Sequence, residues 1–272
     1  MSADQARFVG SIPETYERVL GPFLFEHYAN DLAARLDVPA GGRVLETACG
    51  TGIATEAARR ALDESVRITA TDLQPPMLEL ARTKRGHLKG VQFREADAQE
   101  LPYFDAEFDA LFCQFGWMFL PDKALGFAEA LRVLKPGGLL AFNVWDSLEH
   151  NPVMGLAHET IGGFFAADAP QFLTVPFGWN AHDVIRGHLE DAGFGDIFID
   201  VLARQASHPS ASDLAYGLVH GNPSILEIEE RGSAAPHEVV ATLTRNLVES
   251  YGDNPLRTPL RAIAVTARNI AS

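Results

Sequence analysis

Two cysteines, Cys49 and Cys113, are all that the 272 residues contain, which excludes a disulfide framework and points to a reducing cytoplasm. At their spacing the two cysteines also build no four-ligand Cys/His zinc pattern, so no metal is expected. Basic residues are scarce: 22 Lys and Arg stand against 36 Asp and Glu, a formal charge of −14. A surface that acidic repels phosphate backbones and anionic lipid, so nucleic acid and membrane are not expected partners. No apolar run approaches the roughly 18–20 residues of a spanning helix. The opening MSADQARFVG lacks the basic-then-apolar layout of a signal peptide. Repeats and low-complexity tracts are missing too. What remains, 47% apolar and 21% charged residues, is the composition of a globular enzyme with a sizeable core.

Leu20, Leu24, Tyr28, Leu32 and Leu36 share one helical face, and Pro22 is expected to split that helix. From Arg43 the pattern changes. RVLETA, VRITATD, VQFREAD, FDALFCQFG and GLLAFNVWD are strands apolar through their middles; IATEAARRAL, PPMLELARTKR and DKALGFAEALRVL are amphipathic helices between them. That alternation implies a parallel sheet covered on both faces. After Asp146 the regularity fails in a Phe-, Gly- and Pro-rich stretch. HDVIRGHLEDAGF then supplies a covering helix, Asp196–Leu202 a strand, 211–252 further helices and LRAIAVTARN a last strand. The expectation is a single domain, 1–272: N-terminal helices over 1–40, an α/β core over 41–146, helical insertions over 147–180 and 207–255, and a final helix and strands over 181–206 and 256–272.

VLETACGTG joins the first strand to a helix through Gly50 and Gly52, which let a backbone turn sharply and approach a ligand. A phosphate-binding loop needs G-x-x-x-x-G-K-[ST], yet no Lys or Arg occurs between Glu46 and Arg59. A dinucleotide fingerprint needs glycine three residues after Gly52, where Thr55 stands. Glu46, just before the turn, instead suits a ligand with a positive end. The second strand ends at Asp72, whose carboxylate can accept two hydrogen bonds from a ribose diol. The third ends at Asp97-Ala98, where a carboxylate and a backbone amide can meet an adenine edge. The fourth ends in Cys113-Gln114-Phe115-Gly116, and Leu131–Gly138 carries a helix end and a glycine turn.

In order and spacing, VLETACGTG, TATD, READAQELPY, FDALFCQFGWMFLPD and LRVLKPGGLLAFNVW resemble the class I S-adenosylmethionine-dependent methyltransferases, and within them the small-molecule group that includes the ubiquinone/menaquinone-biosynthesis enzymes. The resemblance covers about residues 40–146. It implies a Rossmann-like α/β fold: a seven-stranded, mostly parallel sheet with an antiparallel last strand, S-adenosyl-L-methionine at the carboxyl ends of the first four strands, and insertions forming a substrate lid. The cofactor residues it implies are Glu46, Ala48, Gly50, Thr51 and Gly52 around the methionine portion, Asp72 on the ribose, Leu73 and Met77 beside the adenine, Asp97 and Ala98 on its edge, and Gln114 after strand four. Thr47-Ala48 departs from the commoner Val/Leu-Gly and narrows the loop slightly.

Cys49 has no CxxC or His partner and is expected to be inert. Among nine histidines, His150 and His158 are the two to test as bases; a surface or core role is the default for each. Phe164, Phe165, Phe172, Phe177 and Trp179 either pack the first insertion or line an apolar pocket. The expected activity is in-line methyl transfer to a small, largely apolar or aromatic molecule. The competing readings are a non-catalytic S-adenosylmethionine-binding or assembly subunit, and insertions that only cover the sheet or form a homodimer contact.

Overall fold

Seven strands, β1 (Arg43–Glu46), β2 (Arg67–Asp72), β3 (Val91–Glu95), β4 (Phe108–Gln114), β5 (Leu134–Trp145), β6 (Phe194–His208) and β7 (Leu256–Asn269), form one sheet in the order β3-β2-β1-β4-β5-β7-β6. Parallel ladders run β3-β2-β1-β4-β5, and β7 is antiparallel to β5. This is the expected doubly covered, mostly parallel sheet. The computed structural model describes residues 8–270. The chain separates into a sheet unit (Glu26–Trp145, Trp179–Leu202 and the segment from Ala262) and a helical unit (the segment to Phe25, Asp146–Gly178 and Ala203–Arg261).

In the sheet unit, helices α2 (Glu26–Ala34), α3 (Ile53–Ala61), α4 (Pro75–Arg85), α5 (Lys123–Val133) and α7 (His182–Ala192) cover the strands. Their limits follow from local chemistry. Pro75 and Pro76 open α4, where a proline lacks only a donor that would be unpaired anyway. The Asp122 carboxylate accepts from the Leu125 amide at 2.9 Å and caps α5. Gly193, at φ +100°, ends α7. Leu134-Lys135-Pro136-Gly137-Gly138 does not make a turn before the strand. It is already part of β5 and bulges against β4 between Phe108 and Ala110, since Pro136 has no amide for the ladder and Gly137 sits at φ +77°.

Trp179 belongs to this unit. It lies near-parallel to Phe142 at 6.3 Å and beside Phe127 at 6.1 Å, with the Lys123 ammonium over its ring. It is a sheet-covering side chain, the packing role that is one of the two expected for it.

In the helical unit, α1 (Ile12–Thr15) leads into a π-helical segment, Tyr16–Phe25; α6 (Pro152–Gly162), α8 (Ala211–His220), α9 (Ser224–Arg231) and α10 (Pro236–Tyr251) complete it. Pro22 lies inside the π-helical segment rather than splitting a helix. The wider i→i+5 turn accommodates a ring that would press on the carbonyl four residues back in an α-helix. β6 and β7 both run longer than their expected spans, β6 because period-two burial continues to His208. No helix among the described residues is long and apolar enough to cross a membrane. Nor do the described residues include a group of three or more His, Cys, Asp or Glu able to hold a metal.

Candidate cofactor site

The carboxyl ends of β1 and β2 are tied together before any ligand is considered. The Thr71 hydroxyl donates to the Glu46 carbonyl at 2.8 Å, and the Cys49 amide donates to the Thr71 carbonyl at 2.8 Å. Between β1 and α3 the chain takes left-handed conformations at every second residue: Ala48 at φ +52°, Gly50 at +56° and Gly52 at +89°. Glycine adopts these angles freely; alanine does so at a cost. Asp72 then braces the loop. Its Oδ2 accepts from the Gly50 amide at 2.7 Å and its Oδ1 from the Gln74 amide at 2.8 Å. A carboxylate offers about four acceptor positions, so these amides leave capacity for a ribose hydroxyl.

Glu46 is 1% exposed. Its Oε2 accepts from the Thr55 hydroxyl at 2.5 Å, while Oε1, also buried, has no hydrogen-bond partner among the described residues. Burial first, with the nearby Asp72 charge adding, pushes its carboxyl up to about 8, against the Thr55 hydrogen bond and Arg85, which act downward. A buried carboxylate oxygen without a donor is costly. A cationic ligand group placed there removes that cost. Thr55, whose side chain displaces the third glycine of a dinucleotide loop, is the donor that orients Glu46.

Leu73 is half exposed, giving an apolar face next to Asp72, and the Met77 methyl lies 3.7 Å from where a Cβ on Gly50 would stand. Thr51 is buried within the loop. Asp97 and Ala98 follow β3, with the Asp97 Oδ1 accepting from the Gln99 amide at 2.8 Å. Gln114 closes β4 beside Asn143 of β5. Thus the Gly50 amide and Asp72 are bonded directly, Glu46 ends β1 just before the loop that Ala48, Gly50, Thr51 and Gly52 form, and Leu73 and Met77 lie alongside; Asp97 and Ala98 stand just past β3 and Gln114 at the end of β4. Cys49 is buried and its thiol is pushed well up, by desolvation first and then by Glu46 and Asp72, as an inert thiol should be. Cys113 is likewise pushed up to about 12, chiefly by burial.

Three aromatic residues cluster near these strand ends, a grouping that the sequence pattern does not reveal. Phe115, at φ +51°, donates its amide to the Asn143 carbonyl at 3.1 Å and stacks on Trp145 at 4.1 Å, while Tyr28 meets both rings edge-on. The sequence signal was a Phe-Gly pair and a Trp at consecutive strand ends.

In the helical unit, Asp146 is anchored by Arg261, Nε to Oδ2 at 2.7 Å, and accepts from the Ser147 amide at 2.7 Å. His150 Nδ1 lies 3.0 Å from the Ser147 hydroxyl and 3.5 Å from Asp146 Oδ1. His158 sits on α6, half-buried.

Residues 45–142 match the family model described as a methyltransferase domain. A demethylmenaquinone methyltransferase of Deinococcus radiodurans is 48% identical over 100 residues, which is 36% of this chain and 41% of that protein. The ubiquinone/menaquinone biosynthesis C-methyltransferase UbiE of Teredinibacter turnerae is 32% identical over 171 residues, 58% of this chain and 68% of that protein. Among solved structures, Haemonchus contortus phosphoethanolamine N-methyltransferase 2 in complex with S-adenosyl-L-methionine is similar in fold, with TM-score 0.60, 15% identity, and coverage of 95% of this chain and 57% of that one.

Proposed function

We propose, from the premise that this chain belongs to the class I S-adenosylmethionine-dependent methyltransferases, that it methylates a small, largely apolar or aromatic acceptor. Its cofactor is S-adenosyl-L-methionine, and the observation that carries the residue assignment is the unpartnered, buried Oε1 of Glu46 beside a braced Asp72. Glu46 would hold the methionine ammonium, with Ala48 and the Gly50-Thr51-Gly52 backbone along the methionine chain. Asp72 would take the ribose hydroxyls, Leu73 and Met77 the faces of the adenine, Asp97 and Ala98 its edge, and Gln114 the side of the reacting end. When bound, the cofactor supplies an already activated sulfonium methyl donor. The protein's part is to hold the acceptor in line at about 3–3.5 Å, which is worth several kcal/mol, and to exclude water.

The acceptor class is supported by three things. Residues 147–178 carry Phe164, Phe165, Phe172 and Phe177 and no Lys or Arg. The net charge of −14 disfavours a phosphorylated acceptor. The relatives are named for quinone biosynthesis. We propose that acceptor recognition falls to the helical unit, as the sequence suggests for its insertions, and that His150, rather than His158, takes a proton from the acceptor: Ser147 and Asp146 occupy its Nδ1, leaving Nε2 as the working nitrogen. A cytoplasmic enzyme accords with two unpaired, buried cysteines; a homodimer is the assembly to test. Calorimetry with S-adenosylmethionine and its demethylated product, followed by a methyl-incorporation screen of quinols, phenols and amines, tests this reading. Binding of both nucleosides and methylation of an apolar quinol or phenol are expected. Preferential methylation of a phosphorylated or polycationic acceptor would overturn the acceptor class.

A further inference from the structure

Arg85, the last residue of α4, is 8% exposed, an unusual place for an arginine unless it is paired. Its Nη1 donates to the Thr51 carbonyl at 2.9 Å, and its Nε donates to the Glu56 carboxylate of α3 at 2.9 Å. Its stem runs under the glycine loop: a Cβ on Gly52 would stand 2.9 Å from Arg85 Cδ. Gly52 is therefore required twice, by its left-handed φ and by the side chain beneath it. The left-handed Ala48 in this loop carries a backbone cost that persists only where the surroundings over-determine the turn. The Thr51 carbonyl, held by a guanidinium fixed at its other edge by Glu56, is one such determinant.

We propose that Arg85 is a positioning residue for the cofactor: it locks the Thr51–Gly52 turn from beneath and supplies the positive charge that acts on Glu46. The charged and titratable groups bearing on Glu46 are Asp72 of β2, the thiols Cys49 and Cys113, and Arg85 of α4. Of these Arg85 alone is positive and favours the carboxylate. This deepens the cofactor assignment above and rests on Glu46 receiving the ammonium.

The test is calorimetric binding of S-adenosylmethionine to wild type, Arg85→Met and Arg85→Lys, over roughly pH 6 to 9, with unfolding followed by circular dichroism. Arg85→Met is expected to weaken binding by about tenfold or more and to move the half-maximal pH upward, because Glu46 then ionises later. Arg85→Lys keeps the charge and is expected to leave that pH close to wild type while losing part of the affinity. A purely structural role would lower affinity without moving the pH profile, and that outcome overturns the proposal, as does Arg85→Met binding within about twofold of wild type. Should Arg85→Met not fold, Arg85→Lys and Glu56→Gln, which frees one edge of the guanidinium, decide: wild-type affinity and profile in both would overturn it. Wild type failing to bind would instead overturn the cofactor assignment beneath it.

Discussion

The Gly50 amide donates to Asp72 Oδ2 at 2.7 Å across 22 residues of sequence, so the residue assigned to the ribose also holds the loop assigned to the methionine. One carboxylate thus couples the two ends of the proposed ligand. Burial raises the Asp72 carboxyl, and the Gln74, Gly50 and Leu73 amides oppose that rise. The side chain is built to carry charge once a diol arrives.

Asp72→Ala is therefore expected to do two separable things. Losing the diol contacts should weaken S-adenosylmethionine by on the order of 2–4 kcal/mol. Leaving the Gly50 amide without its acceptor should lower folding stability by about 1–3 kcal/mol. Calorimetry and urea unfolding read the two effects; unchanged affinity in a folded variant rules out the ribose role.

The second prediction concerns the alanine where the family more often has glycine. Ala48 is held at φ +52°, and a Cβ added to Gly116 would stand 2.5 Å from the Ala48 Cβ and 2.6 Å from Cys113 Sγ. Ala48→Gly relieves the left-handed strain and is expected to stabilise by up to about 1 kcal/mol, without loss of cofactor affinity. Gly116→Ala overpacks the same spot and should cost about 1–3 kcal/mol. The two must be coupled: in the Ala48→Gly background the Gly116→Ala penalty should shrink by at least about 0.5 kcal/mol. Strict additivity in chemical denaturation would show that Ala48 does not set the crowding.

The third prediction follows from the sign of the Glu46 shift. Its carboxyl titrates near 8 in the folded protein against an ordinary 4.5, so the folded state binds that proton more tightly than the unfolded one. The contribution is fully present below the unfolded value and is lost as pH rises from about 4.5 through about 8. Glu46→Gln removes it. The stability of ligand-free wild type minus that of the variant should fall across this window and level off above it. S-adenosylmethionine should flatten the fall, since an ammonium stabilises the ionised carboxylate. A difference independent of pH in thermal unfolding would place the titration elsewhere.

The sheet and its loop were legible because the central strands are apolar through their middles and a signature residue stands at or just past each strand end: Glu46, Asp72, Asp97, Gln114. The supports of that site were not. Arg85 ends a helix, where a basic residue is the ordinary partner of the helix dipole, and only the fold places it beneath Gly52. Thr55 was read as a missing glycine; its hydroxyl proved to be a donor to Glu46. Trp179 stands in a Phe-rich stretch with Phe165, yet the two part company. Trp179 packs on Phe142 and Phe127 in the sheet unit, while Phe165 lies under the Arg231 guanidinium in the helical unit. No local pattern marks where one unit takes over from the other.

The last prediction tests the proposed base. Asp146 directly follows β5, and its amide donates to the Arg261 carbonyl at 3.1 Å. Asn151 holds the same junction, donating to the Asp146, Ser147 and Arg261 carbonyls and accepting from the Arg261 amide. His150 hangs from this rigid frame with a side chain 40% exposed, so its imidazole is fixed at one nitrogen and reachable at the other. A general base in that position contributes about 10²–10⁴ to the rate when the acceptor must lose a proton. His150→Gln is expected to lower kcat by that order with cofactor affinity unchanged, and to recover partly at high pH as the acceptor ionises unaided. Asp146→Asn should give a smaller loss, because Ser147 still orients the ring. His158→Gln should stay within about twofold of wild type. Wild-type kcat in His150→Gln would mean that the acceptor takes no proton-transfer help from this side chain.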